Sequence, residues 1–260
     1  MSFFCRMWRA LAVGFLLGAP GCARPPVEPV TAPQSAPAAP AVDVALAVPC
    51  ADGAEAFVTP PRDLAPFDPS MRGDVVRCAI VAHVSLDDAA KEVAQRDAPK
   101  PELSTGFTVI RLVYRARRAN GAREASSLAG ALAFLPDTPR GNVGVVYAHG
   151  TVGLADRCAP SRAKPAGLAV GFAAAGFATI APDYAGFGLR GATHGWMDSD
   201  DESRSIFDAA RALVQLLPPD RAVAKLVLAG NSQGGHAVLA AQAAARAEDL
   251  PAPVAAVFAI

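Results

Sequence analysis

The sequence predicts an α/β fold with a mostly parallel sheet covered by helices on both faces. First, short apolar segments of strand length alternate with amphipathic segments of helix length from residue 107 onwards. This alternation is typical of parallel strands joined by crossover helices. Second, the pentapeptide Gly-Asn-Ser-Gln-Gly at 230–234 directly follows the apolar segment 225–229. Third, 52% hydrophobic and 18% charged residues in a chain of 260 are sufficient for a large core.

The predicted elements follow one another regularly. Residues 107–117 are strand-like and are joined through Asn120-Gly121, a hairpin signal, to a strand over 128–135. These two strands form an antiparallel lead-in. Further strands are predicted over 143–148, 177–182, 225–229 and 254–260, and helices over 167–175, 199–217 and 234–247. The pattern from Ser199 to Glu202 fits a capping box at a helix start.

The first 49 residues indicate export and tethering. Residues 1–22 combine a positive start, an apolar segment too short to span a bilayer, and an Ala-Pro-Gly-Cys ending that looks like a bacterial lipobox. We expect Cys22 to be lipidated and to anchor the protein to a membrane as a cell-envelope lipoprotein. Cleavage after Ala23, which would give a secreted protein, is the alternative. Residues 23–49, rich in Pro and Ala, predict an extended tether, and 50–260 the folded domain.

Charge and cysteine usage exclude several classes of function. The net charge is zero and the basic residues are scattered, so no nucleic-acid partner is expected. The cysteines and histidines lack the spacing of a metal site, and no cofactor is implied. After the leader, Cys50, Cys78 and Cys158 are present, so one disulfide leaves one thiol over. Their pairing is open.

Ser232 is the predicted nucleophile. A serine in G-x-S-x-G between a buried strand and a helix is typical of a nucleophile elbow, a tight turn that presents the hydroxyl group. The turn requires small residues two positions before and after the serine, and Gly230 and Gly234 meet this requirement. The N–H group of Gln233 is then expected to point at the oxyanion that develops during attack on a carbonyl group.

A second oxyanion donor is predicted in the loop after the strand over 143–148. His149-Gly150-Thr151 follows this strand, the N–H group of Thr151 is the expected donor, and Gly150 permits close approach. The His149 side chain is expected only to satisfy hydrogen bonds of the loop. Asp183, after the next strand, is expected to be a structural carboxylate, with a direct catalytic role as the alternative.

The glycines after Asp183 also match a cofactor motif. Gly186, Gly188 and Gly191 spell G-x-G-x-x-G, the dinucleotide-binding pattern. No helix is predicted to begin there, so we interpret the segment as a turn.

The sequence does not supply a complete triad. A serine hydrolase needs a base to accept the serine proton and an acid to orient that base. His236 lies one helical turn after Ser232 and is not expected to reach its hydroxyl group. Because acid and base are missing, the chain as given is expected to be inactive. The final segment, 254–260, is apolar on both faces, which predicts that the native chain continues beyond Ile260.

Several segments in order resemble the secretory lipase family of the α/β-hydrolase superfamily, including its bacterial members. The resemblance covers nearly all of 57–260. It rests on 57–61, 73–77, 113–115, 120–121, 131–136, 147–151, 156–161, 183–188 and 230–236. It implies an α/β-hydrolase fold and hydrolysis of carboxylic esters or acylglycerols through an acyl-enzyme on Ser232. It assigns the oxyanion donors to Gln233 and the Thr151 region, and places the acid, the histidine and a lid after 254–260.

Two other functions stay open. One is a catalytically inactive envelope lipoprotein that uses the domain for binding or structure, against which the intact elbow argues. The other is an exported serine peptidase or acyltransferase with the same elbow. Peptide and acyl-acceptor substrates, tested against simple esters, distinguish this second alternative.

Overall fold

The computed structural model describes residues 44–61, 63–95, 101–119, 128–165 and 167–260. Within these residues, seven strands form one sheet and four α-helices pack against it. The strands are β1 (Val75–Val84), β2 (Phe107–Arg115), β3 (Leu128–Pro136), β4 (Val143–Ala148), β5 (Ala178–Pro182), β6 (Lys225–Gly230) and β7 (Val254–Ala259). The helices are α1 (Leu86–Ala94), α2 (Leu168–Ala174), α3 (Ser199–Leu216) and α4 (Gln233–Ala244). The predicted α/β architecture is confirmed.

The sheet has an antiparallel half and a parallel half. Its strand order is β1-β2-β3-β5-β4-β6-β7. Strands β5, β4, β6 and β7 run parallel to one another, whereas β1, β2 and β3 pair antiparallel and β3 is antiparallel to β5. The predicted antiparallel lead-in is therefore present but contains three strands instead of two.

Helices cover both faces of the sheet because its central strands are apolar on both sides. In β3, Ala131 and Ala133 belong to the core beneath α3 and α4. Leu132 and Phe134, which alternate with them, belong to a second core beneath α1 and α2. Successive side chains of a strand point to opposite faces, so an uninterrupted apolar strand requires a cover on each.

The antiparallel edge contains the elements that the sequence analysis did not predict. β1 is only partly buried along its length. Helix α1 follows it and is capped by Ser85, whose hydroxyl oxygen accepts a hydrogen bond from the Asp88 N–H group. Alternation between buried and exposed residues is weak in a strand at the edge of a sheet, so β1 was not predicted. Helix α1 buries only Ala89 and Val93, so its apolar face is too small to give a clear helical pattern.

The segment before β1 is tied to the domain by a disulfide. Cys50 and Cys78 are bonded, which settles the pairing that the sequence left open. Cys158 is disulfide-bonded as well, so the expectation of a leftover thiol is wrong. Residues 44–49, assigned to the tether from composition, contact the domain: Val44, Leu46 and Val48 pack against the core of α3 and α4.

Several sequence predictions lie outside the described residues. They are the leader and lipobox over 1–22, the tether as far as residue 43, and the hairpin turn at 120–121. In the part of the chain that the structure describes, none of the helices has the length and apolar character needed to span a membrane.

Candidate active site

Ser232 lies in a sharp turn between the end of β6 and the start of α4. Its φ and ψ angles are 53° and −118°, a left-handed region that non-glycine residues rarely occupy. Such a conformation costs about 1–3 kcal/mol and persists only when surrounding contacts enforce it. Here the Ser232 N–H group donates to the carbonyl oxygen of Ile260 at 2.7 Å, and the Gly234 N–H group to that of Asn231 at 2.8 Å.

The two glycines of the motif are sterically required. A Cβ atom on Gly230 would overlap the carbonyl group of Gly234. A Cβ atom on Gly234 would overlap the carbonyl oxygen of Ala148, the last residue of β4. Because both obstacles are backbone atoms, no side-chain rotation could relieve the overlap. The turn thus depends on glycine at both predicted positions.

The loop after β4 lies directly against Ser232. A Cβ atom on Gly150 would be 3.4 Å from Cβ of Ser232 and 2.9 Å from Nδ2 of Asn231. Within the described part of the chain, the N–H groups of Gly150, Thr151 and Gln233 have no hydrogen-bond acceptor. The structure therefore places unpaired backbone donors on both segments beside Ser232, and backbone N–H groups are the usual donors of oxyanion holes.

A chain of side-chain hydrogen bonds connects these two segments. The indole N–H group of Trp196 donates to Oγ1 of Thr151 at 3.2 Å, and the Thr151 hydroxyl group donates to Oε1 of Gln233 at 3.1 Å. The Gln233 amide nitrogen donates to Oε1 of Glu202 at 2.8 Å and to Nε2 of His194 at 3.1 Å. The Gln233 side chain thereby fixes the first turn of α4 relative to the Thr151 loop.

Glu202 accepts three hydrogen bonds in this network, a role that the sequence analysis did not predict. Its side chain is fully buried. Oε1 also accepts from the Met197 N–H group at 3.0 Å, and Oε2 accepts from Nδ1 of His236 at 2.7 Å. The other nitrogen of His236, Nε2, lies 3.0 Å from Oγ of Ser199.

The predicted capping box that begins at Ser199 is wrong. The N-cap residue of α3 is Asp198, whose carboxylate accepts from the N–H groups of Asp200 and Asp201 at 3.0 Å. Glu202, assigned to the box, instead turns inward towards α4. A cap pattern is a local signal, whereas two of this carboxylate's three partners, Gln233 and His236, lie on a helix that begins more than thirty residues later.

His149, which is buried, and His194, which is partly buried, lie near the elbow in an aromatic cluster. The His149 ring lies 4.7 Å from that of Tyr184, and the His194 ring 5.0 Å from that of Phe187. Burial lowers the pKa of both histidines; that of His194 falls to about 4, with the charges of His149 and Arg118 adding to the effect. Neutral His194 is therefore able to accept the hydrogen bond from Gln233.

His149 has no contact with the Ser232 hydroxyl group. Its Nδ1 donates to the carbonyl oxygen of Gly150 at 2.6 Å, and its own carbonyl oxygen accepts from the Tyr184 hydroxyl group at 2.8 Å. These bonds hold the loop backbone against the turn after β5.

Asp183 is buried in the turn after β5. Its Oδ1 accepts from the Ser161 N–H group at 2.7 Å, while Oδ2 has no partner in the described part of the chain. Burial raises the pKa of Asp183 to about 6, an effect that the Ser161 hydrogen bonds and nearby arginines offset in part. The glycines at 186, 188 and 191 that follow have positive φ angles and form turns, and α3 begins only at Ser199.

None of the four histidines, all of which lie in the described part of the chain, makes a side-chain hydrogen bond to Ser232. His83 pairs with Asp137 at 3.0 Å at the far edge of the sheet, and His149, His194 and His236 have the partners given above. Among the described residues, the Ser232 hydroxyl group therefore has no imidazole within hydrogen-bond distance, while the N–H groups of Gly150, Thr151 and Gln233 are unpaired. The described residues also contain no group of three or more His, Cys, Asp or Glu side chains arranged to hold a metal ion.

Comparison with known proteins identifies the fold. No protein-family model matches the sequence, and no curated protein sequence does. Among solved structures, a Legionella pneumophila protein provisionally classed as a hydrolase is 25% identical, with a TM-score of 0.59 over 71% of this chain and 52% of its own. The cell-wall-degrading esterase LipA of Xanthomonas oryzae is 20% identical, with a TM-score of 0.52 over 68% of this chain and 47% of its own.

A eukaryotic lipase shares the same architecture. Lipase A of Candida antarctica is 16% identical, with a TM-score of 0.53 over 75% of this chain and 44% of its own. The chain has the α/β-hydrolase fold, and it spans about half the length of the solved structures it matches.

Proposed function

We propose that the protein hydrolyses carboxylic esters through an acyl-enzyme formed on Ser232. The observation that carries the proposal is the strained turn at Ser232, at φ 53°, beside the unpaired N–H groups of Gly150, Thr151 and Gln233. An enforced nucleophile next to several backbone donors is useful for attack on a carbonyl group. The esterase and lipase among the structural neighbours support an ester as the substrate.

The chemistry follows from the positions of these groups. Oγ of Ser232 attacks the carbonyl carbon and loses its proton to a base, and the carbonyl oxygen becomes an oxyanion that the N–H groups stabilise by about 3 kcal/mol per donor. The alcohol leaves with the proton from the base. Water then attacks the acyl-serine by the same route and releases the carboxylic acid.

The base is proposed to come from residues that these 260 do not include. The chain's histidines are all engaged elsewhere, and the structural neighbours are about twice as long. A histidine and a carboxylate supplied by further sequence would complete the triad. The secretory lipase resemblance favours the same arrangement, with acylglycerols among the candidate substrates.

We also propose that the protein is exported. The leader over 1–22, the tether over 23–49 and the folded domain thereafter fit a lipoprotein anchored to the cell envelope through Cys22, with secretion after cleavage as the alternative. Fractionation of cells that express Cys22→Ala tests the anchor. We expect release from membranes; unchanged membrane association would exclude lipidation at Cys22.

The central experiment measures release of acid from tributyrin, an acylglycerol without an activated leaving group. Two proteins are compared: the 260-residue chain and the product of the same gene with whatever coding sequence follows the Ile260 codon. We expect turnover only by the longer product, and Ser232→Ala should reduce its kcat by at least about a thousandfold. Ser70→Ala, a change at an exposed serine in the turn before β1, is the matched control and should leave kcat unchanged.

The same experiment distinguishes the alternatives. Turnover that survives Ser232→Ala would overturn the proposed nucleophile. A longer product without ester turnover but with peptide cleavage or acyl transfer would identify the peptidase or acyltransferase alternative. Absence of all three activities would favour the binding or structural module.

A further inference from the structure

We propose that Ser199 is a second nucleophilic serine, activated by His236 and Glu202, and that it accepts acyl groups from small activated esters independently of Ser232. The three side chains form a continuous hydrogen-bonded chain between the starts of α3 and α4. Oγ of Ser199 lies 3.0 Å from Nε2 of His236, and Nδ1 of His236 lies 2.7 Å from Oε2 of Glu202. These are the atom pairs and distances by which a serine, a base and an orienting acid act together.

The hydrogen-bond partners of Glu202 fix the role of each ring nitrogen. Oε1 already accepts from the Gln233 amide and the Met197 N–H group, and Oε2 faces Nδ1 of His236. A carboxylate accepts and does not donate, so Nδ1 carries a hydrogen atom. In the neutral ring, Nε2 is then the acceptor, and the Ser199 hydroxyl group donates to it.

Glu202 pairs with a histidine, whereas two other buried carboxylates on α3 pair with arginines. Asp201 pairs with Arg118 at 2.8 Å, and Asp208 pairs with Arg72 at 2.7 Å. Glu202 has no arginine or lysine partner in the described part of the chain. Glu202 is therefore available to hold the His236 ring with Nε2 towards Ser199, which is the role of the acid in a serine–histidine–acid triad.

Ser199 is accessible to a reactant, in contrast to Glu202. Ser199 is exposed, the His236 side chain is 31% exposed, and Glu202 is fully buried. Ser199 is the first residue of the 18-residue helix α3, and its N–H group has no acceptor in the described part of the chain. One free N–H group at a helix start can stabilise an oxyanion, but fewer donors lie here than at Ser232. We therefore expect reaction with activated esters rather than with stable ones.

The reaction balances without a cofactor. Oγ of Ser199 forms a bond to the acyl carbon as its proton moves to Nε2 of His236. The bond to the leaving alcohol or phenol breaks, and the leaving oxygen takes that proton from His236. Water hydrolyses the acyl-serine in the same manner, releasing the acid and restoring Ser199.

The experiment measures the rate of covalent labelling at each serine. The full chain is treated with a small alkyl fluorophosphonate, and modified peptides are quantified by mass spectrometry. In the unmodified sequence, we expect Ser199 to react about a hundredfold faster than Ser70, the size of effect typical of general-base assistance. Ser70 is the internal control because it is exposed and hydrogen-bonded to a carboxylate, that of Asp68, but not to an imidazole. This comparison needs no mutation.

Two variants separate activation from simple structural contact. Ser232→Ala should leave Ser199 labelling unchanged, which keeps the result independent of the proposed function of Ser232. His236→Asn keeps an amide N–H group near the position of Nδ1 for Glu202 but removes Nε2, and it should reduce Ser199 labelling to the rate at Ser70. Equal labelling of Ser199 and Ser70, or labelling unaffected by His236→Asn in a folded variant, would overturn the proposal and leave a structural link between α3 and α4.

Discussion

Ser232 and Ser199 lie at the starts of two neighbouring helices, α4 and α3, in opposite surroundings. Ser232 has a backbone conformation with a positive φ angle, glycines that permit it, and unpaired N–H groups nearby, but no base within reach among the described residues. Ser199 has an ordinary helical start and a single free N–H group, but its hydroxyl group contacts His236, which Glu202 orients.

The difference separates two requirements of serine chemistry. Stabilisation of an oxyanion depends on backbone N–H groups, and the unpaired N–H groups beside Ser232 belong to a turn and a loop. Activation of the nucleophile is a property of side chains, and at Ser199 it is built from the packing of two helices. Glu202 joins the two regions, because it binds both Gln233 beside the elbow and His236 beside Ser199.

The largest expected effect tests the backbone requirement at the elbow. Gly234→Ala would place a methyl group against the carbonyl oxygen of Ala148, and neither the turn nor β4 could yield without breaking sheet contacts. We expect a loss of about 4 kcal/mol or more in the free energy of unfolding, measured by denaturant titration.

The matched control is Gly171→Ala in α2. A Cβ atom there would lie 3.5 Å from Cγ of Pro101, an ordinary contact, and alanine is favoured inside helices. A gain of up to about 1 kcal/mol is expected. If Gly234→Ala were as well tolerated as Gly171→Ala, the elbow would not require glycine.

The second effect tests Glu202 as the connection between the two serines. Glu202→Ala would leave the Gln233 amide, the Met197 N–H group and Nδ1 of His236 without their acceptor in a buried setting. We expect a loss of about 3 kcal/mol in the free energy of unfolding, measured by denaturant titration.

Asp200→Ala is the control for this prediction, because Asp200 is an exposed carboxylate in the same helical turn. It should cost no more than about 0.5–1 kcal/mol through the helix dipole. Equal effects of the two changes would show that Glu202 contributes only its charge near the helix start.

The third prediction concerns Asp183, a buried carboxylate like Glu202. Unlike Glu202, it has an oxygen without a hydrogen-bond partner in the described part of the chain. The pKa of Asp183 is about 6 in the folded protein against 3.8 for the free group. Since the folded state binds the proton more tightly, the contribution of Asp183 to stability is fully present below about pH 4 and is lost as pH rises through 6. The loss amounts to about 2–3 kcal/mol.

Asp183→Asn removes this titration while keeping an acceptor for the Ser161 N–H group. We expect the difference in unfolding free energy between Asp183→Asn and the unmodified protein to grow in favour of the variant from pH 4 to 6.5, then to level off. The difference is the proper measure because His149 and His194, with lowered pKa values, destabilise both proteins alike on acidification. A difference independent of pH would contradict the assignment.

The smallest expected effect comes from replacing each serine with glycine, which should change the free energy of unfolding in opposite directions at Ser232 and Ser199. Ser232→Gly relieves the strain of a positive φ angle and removes a hydroxyl group that makes no hydrogen bond in the described part of the chain, so a gain of about 1 kcal/mol is expected. Ser199→Gly introduces backbone freedom at a helix start, and a loss of about 0.5 kcal/mol is expected. Thermal unfolding of the two variants measures both; shifts of the same sign would remove the backbone contrast.

The sequence predicted the parts of this molecule that local patterns determine. The strand over 143–148 was predicted with its observed bounds, and the elbow is defined by five consecutive residues whose sizes dictate one turn. The edge strand β1 was missed because its half-exposed face blurs the alternation of polar and apolar residues. The three-dimensional association of Ser199, Glu202 and His236 could not be predicted, because it arises only when α3 packs against α4.

The hydrogen bond from Ser232 to Ile260 has a consequence for the order of events during synthesis. The motif residues leave the ribosome before β7, whose pairing with β6 brings the Ile260 carbonyl oxygen to the Ser232 N–H group. At about 5–20 residues per second, the interval lasts seconds, ample time for earlier strands to pair. A nascent chain would therefore contain an assembled antiparallel half while Ser232 still lacks one of the contacts that enforce its geometry.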